Sequence, residues 1–139
     1  MCDISNKQIK PPKYAYKVVG IDDGKYVSPF IKMYIEDIGK QVPFADVVWN
    51  PVLTDDYDCT TAFVKKKDAV RLLEYSLDTE YTSLYRLSRR MKVKVVRLAI
   101  EEDSKCFVGS AIGVSNYTWK DPRKIITIAV NKFKIDKEY

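Results

Sequence analysis

The stretch YAYKVVGIDDGKYVSPFI, residues 14–31, decides the fold class. Tyr14 to Ile21 and Lys25 to Ile31 are rich in β-branched and aromatic residues, the types that fit a pleated, half-buried surface. Asp22-Asp23-Gly24 stands between them. An Asp-Gly pair in that position predicts a tight hairpin, because glycine takes positive φ without steric cost. Strands joined by so short a turn run antiparallel, since a parallel pair needs a long crossover. Pro29 ends the second strand or puts it at a sheet edge, where its missing N–H costs no ladder bond.

Upstream of the hairpin, residues 1–13 read as a leader segment ending in Pro11-Pro12, which favours extended chain over helix. Downstream, residues 14–139 read as one domain, long enough to bury a single core. Met33 to Gly39 fits a short strand or one helical turn. Val47 to Trp49 fits another short strand, and Asp55, Asp56 and Asp58 crowd a loop. From Lys66 to Leu77 the apolar positions Ala69, Val70, Leu73 and Leu77 line one face of a helix, with Asp68 near its positive end. A second helix is expected over Thr79 to Arg89, then a strand from Met91 to Ile100 closed by Glu101-Glu102-Asp103. Lys105 to Val114 and Lys124 to Ile135 read as two more strands, separated by a loop that carries Trp119. The sum is α+β: a single, mostly antiparallel twisted sheet with one or two helices packed on one face.

Charge is the feature that bears on function. Residues 1–64 hold seven lysines and nine acids, whereas residues 65–139 hold seventeen basic residues and ten acids. Six of the twelve residues from Arg86 to Arg97 are basic: Arg86, Arg89, Arg90, Lys92, Lys94 and Arg97. Such a run fits a solvated face that also caps a helix end, or an anion site in which arginines grip phosphate or carboxylate by paired donors. Tyr85 and Trp119 are candidate aromatic anchors beside it, and Tyr81 and Tyr117 lie near enough in sequence to stack on bases. Nucleic acid is the less favoured partner. The net charge of +5 is modest, and no RNP, KH, helix-turn-helix or finger signature is present.

Much chemistry is excluded. The chain has no histidine, so Ser-His-Asp and Cys-His sets are impossible, and the five scattered glycines form neither a Walker loop nor GxGxxG. Cys2, Cys59 and Cys106 suit neither a disulfide framework nor a metal knuckle, and Cys106 is expected buried in a strand. The aspartates at 55–58 lack the order of a calcium loop. No catalytic residue, metal or cofactor is therefore expected. An alternative is a small enzyme that uses Cys2 as an N-terminal nucleophile after removal of Met1. No apolar run is long enough to span a membrane and no signal peptide is read, which points to the cytoplasm.

Tyr14 to Phe30, with Met1-Cys2 and Pro11-Pro12 before it and Ala62-Phe63, Asp68-Ala69 and Val93 to Ile100 after it, resembles short accessory proteins of phages, large viruses and some bacteria. The resemblance implies a viral or mobile-element accessory protein in the host cytoplasm and carries no catalytic residue. Together with the charge pattern it gives the expectation of a non-enzymatic protein. Its basic half would bind a nucleotide signal or another anionic small molecule, or the acidic surface of a host protein. A structural or virion protein that works by homo-oligomerisation is the alternative from another class.

Overall fold

In the hairpin, Ile21 stands opposite Tyr26 and Asp22 opposite Lys25. Asp23 and Gly24 take φ of 51° and 78°, the doubly positive turn whose twist matches that of the flanking strands. The computed structural model describes residues 3–28, 33–34, 59–78, 83–111 and 118–139. The expectations for Cys2, Pro29, Gly39, Val47 to Trp49, Asp55, Asp56, Asp58, Tyr81 and Tyr117 lie outside the described residues.

The first strands are β1 (Asp3–Gln8), β2 (Tyr14–Asp22), β3 (Lys25–Ser28), β4 (Met33–Tyr34) and β5 (Thr60–Phe63). Two helices follow, α1 (Lys66–Asp78) and α2 (Ser83–Ser88), and then β6 (Lys92–Ile100) and β7 (Cys106–Ser110). A 3-10 turn at Pro122–Lys124 leads to β8 (Ile126–Val130) and β9 (Phe133–Glu138). The nine strands among the described residues belong to one antiparallel sheet, so the fold is α+β as the sequence predicts.

β2 is the strand on which the sheet turns. One edge pairs with β6 over nearly its whole length, from Tyr14–Ala99 to Ile21–Lys92. The other edge is shared between β5, at the single pair Tyr16–Phe63, and β3, from Gly20 onward. Where β2 and β5 part, the buried Lys17 donates its Nζ to the carbonyl of Thr61 at 2.7 Å, meeting a strand carbonyl that the one-pair ladder does not reach. β8, β7 and β1 continue the sheet beyond β5, and β9 closes the far side of β6.

Several boundaries differ from the sequence reading. Within the expected leader, Asp3–Gln8 forms β1 and pairs with β7; its polar residues suit an edge, where no alternation of apolar residues is needed. The expected strand from Lys124 to Ile135 is two strands in different parts of the sheet, with Val130 opposite Cys106 and Phe133 opposite Ile100. The break at Asn131-Lys132 has neither glycine nor proline. It is fixed from across the molecule by the Ser104 hydroxyl, which accepts both N–H groups at 3.2 and 3.1 Å. The second helix is described over Ser83–Ser88 and gives way to a turn at Arg89; residues 79–82 of its expected span lie outside the described residues. Leu77, expected on the apolar face of α1, is 41% exposed, because the buried face runs through Asp68, Ala69, Leu72 and Ser76.

The two faces of the sheet bury different sets of residues. On one, Val18, Phe63, Val95 and Trp119 pack against Ala69 and Leu72 of α1 and Leu84 of α2. On the other, Ala15, Val19, Ala62, Val96, Leu98, Ile100, Ile128 and Val130 cluster around Cys106. Each large aliphatic side chain buried there contributes roughly 1.5–3 kcal/mol. Cys106 is buried in its strand as expected, and burial pushes its thiol up to about 11, so it stays protonated at neutral pH. Gly20 brings the α2–β6 joint close to the sheet: a Cβ there would meet Met91 Sδ at 2.5 Å. No helix among the described residues is long and apolar enough to cross a membrane.

Candidate anion-binding site

The basic run divides into two parts with different surroundings. Its second part is built into the sheet. Arg97 forks onto Asp136, with Nε donating to Oδ1 at 3.0 Å and Nη2 to Oδ2 at 2.9 Å. Its guanidinium also lies 4.1 Å over the ring of Tyr14. This pairing holds the Asp136 carboxyl below its ordinary range, chiefly through the Arg97 hydrogen bonds, and holds Arg97 above its own. Lys94 lies 3.7 Å from Glu138, whose other oxygen accepts the Tyr26 hydroxyl at 3.0 Å. Tyr26 is raised by its partial burial first and by Glu138 second.

The first part stands where α2 gives way to β6. Arg86, Arg89, Arg90 and Lys92 are exposed and form no ion pair among the described residues. Arg86 lies in the last turn of α2, and Arg89 and Arg90 form the turn that follows it. Lys92 follows opposite Ile21, and Tyr85, partly exposed, precedes Arg89 by one turn. The main alternative role for these cations is to cap the helix end, but the last carbonyls of α2 are already used. That of Tyr85 accepts the Ser88 hydroxyl at 2.6 Å, that of Arg86 accepts the Arg89 N–H, and that of Leu87 accepts the N–H groups of Arg90 and Met91. The arginine side chains are left to solvent.

Trp119 lies apart from this group. It is 8% exposed, tilted against Phe63 with ring centroids 5.4 Å apart, and belongs to the core between sheet and helices. It also borders a cavity of about 950 Å³ along residues 119–125, which none of Arg86, Arg89, Arg90 and Lys92 lines. Arg86, Arg89, Arg90, Lys92 and Tyr85 thus stand within eight consecutive positions at the α2–β6 junction, with Lys92 on the sheet face away from α2, whereas Lys94 and Arg97 have acidic partners and Trp119 is buried. Sequence reasoning missed Asp136 and Glu138, which decide the division. The alternation in Lys134-Ile135-Asp136-Lys137-Glu138 marks an edge strand whose acids could face neighbouring cations. Among the described residues no group of acids and cysteines could hold a metal ion.

No protein-family model, curated protein or solved structure matches this chain.

Proposed function

We propose that the protein is a non-enzymatic binding domain that engages an anionic partner through the α2–β6 junction. One observation supports this reading above the others: within a single basic run, Lys94 and Arg97 have acidic partners, whereas Arg86, Arg89, Arg90 and Lys92 have none among the described residues. Like charges crowded into so short a stretch repel by about a few tenths of a kcal/mol per pair, a cost that an external anion would relieve. Three guanidinium forks suit phosphate or carboxylate oxygens, and Lys92 adds a compact charge. A nucleotide signal or the acidic surface of a host protein fits that chemistry. Either suits the viral or mobile-element accessory role that the resemblance implies.

Native mass spectrometry of the purified protein, with and without denaturant, tests the reading. A non-covalent adduct of phosphate or nucleotide mass, absent from Arg89→Ala/Arg90→Ala/Lys92→Ala, is the expected result for a small ligand. For a protein partner, the same triple variant loses retention on a polyglutamate column at low salt. An adduct and a retention both unchanged by the triple substitution remove the junction from the site.

A further inference from the structure

A second group of cations, far apart in sequence, gathers on tyrosine rings at another place on the sheet. The register sets Phe63 opposite Tyr16, Tyr16 opposite Arg97, and Arg97 opposite Lys137. Directly paired residues of antiparallel strands share a face, so these four form one row across β5, β2, β6 and β9. Tyr14 stands two residues before Tyr16 and Tyr139 two residues after Lys137, hence on the same face. The Tyr139 N–H donates to the Val95 carbonyl at 2.9 Å, which holds that residue against β6.

Each end of the row pairs rings with cations. Over Tyr14 lie the Arg97 guanidinium at 4.1 Å and the Lys13 Nζ at 5.3 Å. Beside Tyr139 lie Lys66 Nζ, from the first residue of α1, at 3.8 Å and Lys137 Nζ at 5.1 Å. Tyr16 joins the two ends, its ring centroid 6.1 Å from that of Tyr139 and tilted by 46°. The acids of β9 are already paired, Asp136 by Arg97 within the strip, and Glu138 by Tyr26 and Lys94. Lys13, Lys66 and Lys137 form no ion pair among the described residues. A tyrosine ring steadies an ammonium group without neutralising it, so these lysines are placed in advance and still carry full charge.

We propose that this tyrosine–cation strip is a binding surface for single-stranded nucleic acid. Lys13, Lys66 and Lys137 would contact successive phosphates, while Tyr14 and Tyr139 would stack unpaired bases on the ring surface their cations leave open. Aromatic residues interleaved with cations on a sheet are the arrangement that takes single strands with little sequence preference. A duplex hides the base faces that such rings use. The strip is independent of the α2–β6 junction: Lys92 and Arg97 are separated by roughly 17 Å along β6.

The test is fluorescence anisotropy with labelled oligothymidylate and oligouridylate of about twelve nucleotides, within the span of one small single-strand-binding domain. Three phosphate contacts predict that the logarithm of the affinity falls with the logarithm of salt with a slope of about −2, and that Lys66→Ala/Lys137→Ala reduces this slope by about 1.4. That variant should bind at least about tenfold more weakly, as expected for two lost charge-assisted contacts. Tyr139→Leu should weaken binding about five- to hundredfold with the slope unchanged, and Tyr139→Phe should restore it. Arg89→Ala/Arg90→Ala should bind as the parent does. Absence of binding at low salt, or an unaltered affinity in both the lysine and the Tyr139→Leu variants, overturns the proposal. So does displacement by polyglutamate of matched charge with Tyr139→Leu silent, which assigns the surface to acidic peptide. If the double lysine variant does not fold, the parent's own slope decides, and a value weaker than about −1 rejects the three contacts.

Discussion

Arg86–Lys92 and Lys94–Arg97 are alike in composition and opposite in situation. The second segment meets β9, which pairs from Val96 onward and whose Asp136 and Glu138 take up its charges; the first lies at the turn that leads into the sheet, where no described acid reaches it. Basic residues therefore become structural or available according to what the fold sets beside them, and the partners here come some forty positions later in the chain. The same logic separates Lys17, buried as a strut between β2 and β5, from Lys66 and Lys137, exposed and held by a ring.

The largest expected effect tests how firmly the sheet-bound segment is anchored. Leu98 follows Arg97 and is wholly buried among Ala15, Val96, Ile128 and Val130. Leu98→Ala should cost about 2–5 kcal/mol in urea unfolding, through lost burial and the cavity left behind. A cost under about 1 kcal/mol would mean that this end of β6 is loosely packed, and the contrast between the two segments would weaken.

A smaller effect probes the ion pair itself. Asp136 has a folded-state pKa below its unfolded value, so it contributes stability that is present above the unfolded carboxyl range and lost as pH falls through the lower folded value. Asp136→Asn should accordingly melt below the parent at neutral pH and converge with it in acid. Arg97→Ala should lower the neutral melting temperature more than Lys94→Ala, because Arg97 loses both a bidentate pair and its stacking on Tyr14. Equal melting curves for Arg97→Ala and Lys94→Ala would remove the distinction drawn between a fork and a loose pair. Addition of salt should narrow the Lys94 difference first, since that pair is the more exposed.

These contrasts also mark how far the sequence could be read. The β2–β3 hairpin and the core of α1 were legible because their signals are local: Asp-Gly at the turn, and apolar residues at helical spacing. The corner between β8 and β9 was not, because it depends on the Ser104 hydroxyl, which lies 27 and 28 residues from the two N–H groups it binds. β1 was hidden because a polar edge strand carries little periodicity. For the site, the basic run was visible as charge, but its division was not, since that follows from the β6–β9 register and its shift between Arg97 and Leu98. Trp119 read as a surface anchor because it sits in a loop beside charged residues, whereas its ring is covered by Phe63 and α1. The meeting of Tyr14 with Arg97, and of Lys66 with Tyr139, exists only once β2, β6 and β9 lie side by side.

The smallest expected change is also the most discriminating. If the first segment is free, removing its charges should leave the fold unharmed, and Arg89→Ala/Arg90→Ala/Lys92→Ala should unfold in urea within about 0.5 kcal/mol of the parent. A larger loss would show that these side chains support α2 or the Gly20 contact, and would return them to a structural role. The reverse substitution enlarges the free set: Glu138→Gln removes the acid beside Lys94 and leaves the Tyr26 hydroxyl an amide oxygen to bond. Lys94 then becomes available as a further cation on the strand that begins at Lys92. Elution of Glu138→Gln from a polyglutamate column should move to higher salt, and that of the triple variant to lower salt. Exposed charges add steeply to attraction at low ionic strength and little at high, so both displacements should shrink as salt rises. If Glu138→Gln elutes unchanged while the triple variant moves, Lys94 takes no part in anion binding even when unpaired, and the boundary of the site falls between Lys92 and Lys94.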